Sequence, residues 1–163
     1  MGRRKRRKFR IVNYHTFIFD GDNTLGHFID LKLIQAPDWN DEKRVGEAYL
    51  ATIFRIIKNP KIRGKIIIFF DRENSFLKAN RICGQVEIIF SDYNDADKSL
   101  KEIYKIPMKG VLIVTADIKL LKCFKDRSFS AKPPGVIFGD SGFVKRNERY
   151  RKHFNYPGYR GHR

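Results

Sequence analysis

Three aspartates in this chain each follow the last apolar residue of a short hydrophobic run: Asp20, Asp71 and Asp117. If these runs are parallel strands, their carboxyl ends meet at one edge of a sheet, where such sheets bind ligands. A fourth aspartate, Asp97, stands early in a predicted helix after a further run and is expected at the same edge. Carboxylates brought together without basic partners repel one another unless cations neutralise them. The spacing therefore predicts an acidic site that binds a cation.

Oxygen ligands of this kind suit Mg²⁺ or Mn²⁺. These metals can turn water into a nucleophile and stabilise the leaving oxygen of a phosphodiester, with no covalent intermediate. The four aspartates together therefore predict a metal-dependent nuclease. Each of them taken alone has a simpler interpretation, because aspartate commonly follows strands and caps helices.

Five short apolar runs, each ending at a turn or a polar residue, predict strands. They are residues 15–19, 65–70, 86–90, 111–115 and 136–138. Apolar residues at helical spacing predict three helices between them. These are residues 45–57, 96–104 and 118–124. Strands that are apolar on both faces and alternate with helices indicate an α/β fold, a three-layer sandwich around a mostly parallel sheet of about five strands. Residues 21–40 and 125–135 are predicted to be long loops.

The formal charge of +16 is concentrated at the two ends of the chain. Residues 1–10 hold seven Lys or Arg and no acid, and residues 145–163 hold seven against Glu148 alone, which leaves +3 for residues 11–144. Such arms can neutralise a polyanion, and the second also carries aromatic residues on which bases can stack. Candidate RNA contacts in the arms are Arg3, Arg4, Lys5, Arg6, Arg7, Lys8, Lys145, Arg146, Arg149, Tyr150, Arg151 and Lys152. Solubilising tails, or a nuclear address near the amino terminus, are the alternatives.

The charge distribution predicts a basic arm at residues 1–12, one domain at 13–143 and a basic, aromatic tail at 144–163. With 163 residues, 42% of them apolar, the chain can bury a single core. Cys83 and Cys123 lack the spacing of a zinc site or a disulfide framework. The basic start lacks the apolar segment of a secretory signal, and no run approaches the roughly 20 apolar residues of a membrane span. These features predict a cytoplasmic protein without a membrane partner.

Four motifs occur in order along the chain. They are FIFDGDN at 17–23, KIIIFFDRENS at 65–75, VEIIFSDYNDADKSL at 86–100 and VLIVTAD at 111–117. Together they resemble the NYN domain family, in particular its YacP-like branch, a group of PIN-like ribonucleases. The first motif is similar to that family's Asp-Gly-x-Asn sequence, the third to its Ala-Asp pair at the start of a helix, and the fourth to its Thr-Ser-Asp strand ending. The resemblance covers about residues 15–140.

The resemblance implies an endoribonuclease whose catalytic residues bind Mg²⁺ or Mn²⁺. The implied catalytic and metal-binding residues are Asp20, Asp71, Asp97 and Asp117. The resemblance also implies that Asn23 and Thr115 support the site, and it places Arg44 in a helix that contacts RNA. The implied substrate is structured or ribosome-associated RNA.

Three positions depart from the family's pattern. Ala116 stands where Ser is usual, and Asn94 and Lys98 stand where acids are common. Asp95 could supply the acid at that corner of the site. A catalytically inactive protein of the same fold, which binds RNA or the ribosome through its basic arms, is therefore one alternative.

A phosphatase of the haloacid-dehalogenase type is the second alternative. Residues 20–24 also satisfy the Asp-x-Asp-x-Thr pattern of that family, with Asp20 as nucleophile and Asp22 as acid and base. Thr115, Lys132 and residues 139–141 could supply its further motifs. Only a few residues separate Lys132 from Gly139, however, where that family places a helix and a strand, and this interpretation leaves Asp71 and Asp97 without a role.

Overall fold

Five parallel strands form the centre of the molecule. The computed structural model describes residues 9–80, 82, 84–91 and 95–139. The strands are β1 (Thr16–Asp20), β2 (Lys65–Phe70), β3 (Val86–Phe90), β4 (Val111–Val114) and β5 (Ser130–Lys132). They lie in the order β3-β2-β1-β4-β5, and every neighbouring pair is parallel. β1 is therefore central, with β2 and β4 on either side of it.

Helices cover both faces of the sheet. They are α1 (Gly21–Asp30), α2 (Glu42–Lys58), α3 (Ser75–Ala79), α4 (Ala96–Ile103), α5 (Ile118–Asp126) and α6 (Pro134–Phe138). One hydrophobic cluster joins the sheet to α1, α2, α3 and α6, and a second joins its other face to α4 and α5. Within β1, Phe17 and Phe19 face the first cluster and Ile18 faces the second, as strand geometry requires. The predicted α/β sandwich with a parallel five-stranded sheet is confirmed.

The sequence of the long helix α2 explains where the helix begins, which face it buries and where it ends. Asp41 caps it by accepting a hydrogen bond from the backbone N–H of Arg44 at 3.2 Å. Its buried residues recur at helical spacing and face the sheet. They are Gly46, Ala48, Tyr49, Thr52, Ile53 and Ile56. The helix ends at Lys58. Its C-cap, Asn59, precedes Pro60, and the helical conformation is disfavoured for a residue before proline.

The prediction of the fifth strand is wrong. Residues 136–138 lie in α6, and the fifth strand is β5, inside the predicted loop at 125–135. Pro134 occupies the first turn of α6, where its missing N–H is no loss and its fixed φ favours a helix. Gly139 then ends the helix in the left-handed region, with φ at 81°. The apolar run alone did not distinguish a strand from a short helix, as expected for runs of this length.

The loop predicted at residues 21–40 is wrong over its first half, because α1 begins at Gly21 directly after β1. A Cβ atom at Gly21 would lie 2.6 Å from the carbonyl oxygen of Phe69, so glycine lets the helix start this close to β2. Leu25 and Phe28, one turn apart, bury the inner face of α1. The short helix α3, which the apolar pattern did not indicate, is capped by Asn74 through the backbone N–H of Leu77 at 2.8 Å.

The predicted arms lie mostly outside the described part of the chain. Residues 1–8 and 140–163 are not described, and with them all the candidate RNA contacts except Arg44. The boundaries at residues 12 and 144 therefore stay predictions. Within the described ranges, no helix combines the length and the apolar character needed to cross a bilayer.

Candidate functional site

Asp20 lies at the carboxyl end of the central strand, and its side chain is almost fully buried. Its Oδ2 accepts a hydrogen bond from the Thr115 hydroxyl at 3.0 Å and another from the side-chain amide of Asn23. The backbone carbonyl of Asp20 accepts a third bond, from the Thr24 hydroxyl at 2.8 Å. Asn23 and Thr115, the two residues expected to support the site, thus both contact Asp20.

Asp71 follows β2 and lies beside the start of α4. Its Oδ1 accepts a hydrogen bond from the backbone N–H of Ala96 at 2.9 Å, which ties the end of β2 to the first residue of α4. The next residue of that helix is Asp97, so this bond also fixes where Asp97 stands. Asp71 and Asp97 are each about 7% exposed, which leaves both carboxyls largely out of water.

Asp117 follows β4 and caps α5. Its Oδ1 accepts hydrogen bonds from the backbone N–H groups of Lys119 at 2.8 Å and Leu120 at 3.1 Å. The backbone N–H of Asp117 itself donates to the Thr115 hydroxyl at 3.1 Å. Because that hydroxyl also donates to Asp20, one threonine side chain holds β1 and the start of α5 in a fixed relation.

The carboxyl of Asp97 joins the others into one cluster, which we call the acidic cluster: Asp20, Asp71, Asp97 and Asp117. Asp97 is in hydrogen-bond contact with the carboxyls of both Asp20 and Asp117. Burial, followed by the charges of Asp20 and Asp117, raises the pKa of Asp97 from 3.8 to about 11. Burial and the charge of Asp71 raise the pKa of Asp20 to about 6. At neutral pH the cluster therefore retains a proton on Asp97.

The four carboxyls of the acidic cluster suit a divalent cation. Burial and crowding raise the pKa values of Asp20 and Asp97, and a cation bound to the carboxyl oxygens would relieve the repulsion between their charges. Among the described residues, however, no three acidic, histidine or cysteine side chains are arranged to hold one metal ion. In this arrangement Asp97 instead bridges Asp20 and Asp117 through hydrogen bonds. Carboxylates must release such protons to bind a metal, so the affinity for the metal depends on pH.

Asp22 is a buried residue of this region to which sequence reasoning gave only a phosphatase role. Its Oδ1 accepts a hydrogen bond from the Tyr49 hydroxyl at 2.7 Å, and its Oδ2 accepts one from the backbone N–H of Asp71 at 2.6 Å. Burial and the charge of Asp71 raise the pKa of Asp22 well above its usual range. Asp22 therefore holds the backbone of Asp71 in place. The spacing of residues gives no indication of this role, since Tyr49 comes from a different helix.

Two predicted site residues lie apart from the acidic cluster. Asp95 caps α4, where its Oδ1 accepts a hydrogen bond from the backbone N–H of Lys98 at 2.9 Å. Arg44 is exposed near the start of α2 and forms an ion pair with Glu47 at 3.2 Å. This position leaves the Arg44 guanidinium accessible to a ligand at the surface.

The surroundings of the first motif disfavour the phosphatase. An acid and base must exchange protons with substrate, whereas both oxygens of Asp22 accept hydrogen bonds from buried protein groups. The Nζ of Lys132 lies over the ring of Phe9, 5.3 Å from its centroid. Gly139 follows a helix, not a strand, and Asp140 lies outside the described residues.

The fold of this chain is similar to that of a solved structure, Rae1 (YacP) from Bacillus subtilis. The two chains are 18% identical, the alignment covers 85% of this chain and 80% of that one, and the TM-score is 0.54. A crystal structure of the same protein with one tryptophan replaced is 17% identical, with coverage of 85% and 78% and a TM-score of 0.45. No family model and no curated protein matches the sequence. Identity this low shows a shared fold alone, and that fold is the α/β sandwich with a parallel sheet described above.

Proposed function

We propose that this protein is a metal-dependent endoribonuclease that hydrolyses RNA phosphodiester bonds at the acidic cluster. The observation that carries the proposal is the convergence of four carboxyls from separate parts of the chain. Burial and mutual repulsion raise the pKa values of Asp20 and Asp97 within it. Such an arrangement costs free energy unless a cation neutralises it, and costly polar clusters in proteins mark functional sites.

The residues have distinct roles in this proposal. Asp20, Asp71, Asp97 and Asp117 would bind the Mg²⁺ or Mn²⁺ ion, which supplies a Lewis acid that polarises the phosphate and activates water. Thr115 and Asn23 orient Asp20 through the hydrogen bonds to its Oδ2. Burial at the strand ends keeps water away from the carboxyls and strengthens their electrostatic interactions.

RNA is the proposed substrate because of the basic arms and the exposed Arg44. The seven basic residues at 1–10 and the seven at 145–163 would contact phosphates on either side of the domain at 13–143. Ribosome-associated RNA, and with it a cytoplasmic location, belongs to the same proposal through the YacP-like motifs.

The test is RNA cleavage by purified protein with Mn²⁺ or Mg²⁺. Asp117→Asn is the informative variant, because asparagine caps helices as well as aspartate does but carries no charge. Folding should survive, RNA should still bind, and cleavage should fall by at least about 100-fold, more than the 10–100-fold typical of residues that only support a metal site. Asp20→Asn should behave in the same way, and the exposed Asp126 gives a matched control, Asp126→Asn, with unchanged cleavage.

Cleavage that persists in Asp20→Asn and Asp117→Asn would overturn the proposal. Hydrolysis of a phosphomonoester without cleavage of RNA would point to the phosphatase instead. RNA binding without cleavage under either metal would favour the inactive RNA-binding protein.

A further inference from the structure

A groove of about 800 Å³ lies between the second half of α2, α6 and the segment after α1. It lies at the far end of α1 from the acidic cluster. That helix begins at Gly21, directly after Asp20, and Phe28 in its last turn packs on Phe138 of the groove with ring centroids 4.9 Å apart. At the end of α2, Asn59 donates to the carbonyl of Ile137 at 3.4 Å.

The groove is positively charged. Its lining includes the exposed side chains of Arg55, Lys58 and Lys61 and contains no acid. Arg55 donates to the carbonyl oxygen of Leu33 at 3.0 Å, which fixes its guanidinium at the rim. Among the described residues, neither lysine forms an ion pair. Because these three cations form no ion pair within the described part of the chain, they give this surface a net attraction for anions.

The groove also exposes an aromatic ring beside these cations. Phe54 is 47% exposed on α2, although the adjacent stripe of that helix is fully buried. Leu33, 42% exposed, lines the groove together with Phe138. Proteins that bind single-stranded nucleic acids combine aromatic rings with basic side chains. The bases stack on the rings, and the phosphates contact the cations.

The chain's own C-terminal tail is a poor occupant of the groove. It continues from Gly139, which lines the groove, and residues 145–163 carry seven Lys or Arg against one acid. Like charges would repel the tail from Lys58 and Lys61. The basic groove is instead complementary to a polyanion.

We propose that this groove is a second RNA-binding surface, which stacks a base on Phe54 and contacts phosphates through Lys58 and Lys61. The proposal rests on the proposed function in taking RNA as the ligand. The 10 residues of α1 span about 15 Å, and neighbouring phosphates of a stacked strand lie about 3.4 Å apart, so roughly four nucleotides separate the groove from the acidic cluster. RNA longer than this can occupy both sites at once.

The experiment measures the binding of fluorescent oligouridines of about 3 and about 20 nucleotides, shorter and longer than this span, by anisotropy with a chelator present. The variants are Phe54→Ala, Phe54→Leu and the pair Lys58→Glu with Lys61→Glu. The matched control reverses two exposed lysines on the other helix layer, Lys122→Glu with Lys125→Glu, with the same change in net charge. All these side chains are exposed, so thermal unfolding should change little.

The affinity of the wild type should rise from the shorter to the longer RNA. Both Phe54 variants should lose about tenfold in affinity for the longer RNA, because leucine keeps the apolar contact but cannot stack. The Lys58 and Lys61 pair should lose at least as much and should reduce the salt slope by about 1.4, at about 0.7 per phosphate contact on a single strand. The control pair should change affinity less than about threefold.

Equal affinities for the longer RNA in wild type, groove variants and control would overturn the proposal. So would a polyglutamate peptide that binds the groove while RNA binding is unaffected by the variants, since the partner would then be an acidic protein. Weakened RNA binding in the groove variants without cleavage in any protein would support the groove and refute the nuclease. Intact cleavage, with RNA binding unaffected by the groove substitutions, would support the nuclease and refute the groove.

Discussion

The shared proton of Asp97 makes the stability of the metal-free protein depend on pH. The pKa of Asp97 is about 11 in the folded protein against an ordinary value of 3.8, so the folded state keeps a proton that the unfolded chain releases above about pH 4. Stability from this group is fully present below pH 3.8 and is lost as pH rises toward 11. The free energy of unfolding should fall by up to about 1.4 kcal/mol per pH unit, or about 4 kcal/mol between about pH 5 and pH 8.

The informative perturbation is Asp97→Asn. An asparagine amide can donate hydrogen bonds to Asp20 and Asp117 at any pH, because it has no proton to lose. The pH slope due to this position should therefore disappear, and the variant should gain on the wild type by up to about 4 kcal/mol over the same range. Asp20, whose pKa is raised from 3.8 to about 6 in the folded protein, adds a smaller fall in the free energy of unfolding. This fall is complete once the pH has risen past about 6.

Urea unfolding with a chelator present measures these free energies. The chain's one tryptophan, Trp39, packs against the core and gives a fluorescence probe. Asp126→Asn is the control and should keep the wild-type slope. Parallel stability profiles for wild type and Asp97→Asn would refute the reasoning. Adding Mn²⁺ to the wild type should stabilise it more at pH 8 than at pH 5, because protons compete with the metal for the same oxygens.

Two further predictions concern Asp22 and the arms. Asp22→Asn should fold and keep RNA cleavage, because an amide can still form hydrogen bonds with both Tyr49 and the backbone of Asp71. Asp22→Ala would leave two buried donors unsatisfied. Its free energy of unfolding, measured by urea titration, should therefore fall by about 2 kcal/mol or more. Loss of cleavage in a folded Asp22→Asn would contradict this. Deleting residues 1–10 and 145–163 should flatten the salt dependence of RNA binding measured by anisotropy, and an unchanged slope would show that the arms are not contacts.

The sequence was sufficient to predict where in the fold three of the aspartates lie. Short runs that are apolar on both faces and alternate with helices suit a covered parallel sheet, so the places of Asp20, Asp71 and Asp117 after β1, β2 and β4 could be predicted from the chain. The helix that carries Asp97 was equally clear, because its apolar residues recur at helical spacing.

The remaining features depend on contacts that local patterns do not contain. Gly21 looks like a turn residue, and only the nearby carbonyl of Phe69 explains why it begins a helix. The apolar residues of α6 suit a strand equally well. The helix is favoured by Pro134 in its first turn and by the hydrogen bond from Asn59 to the carbonyl of Ile137. Asp22 meets its partner Tyr49 only after α2 has packed on the sheet.

The bond between the Thr115 hydroxyl and Asp20 joins residues 95 positions apart in the chain. Contacts at such separation form late in folding, because a long loop must close before they contribute. During synthesis, β1 and β2 leave the ribosome well before β4 exists to complete the site. In a nascent chain, Asp20 and Asp71 therefore emerge before Asp97 and Asp117, and the acidic cluster can form only on a finished domain.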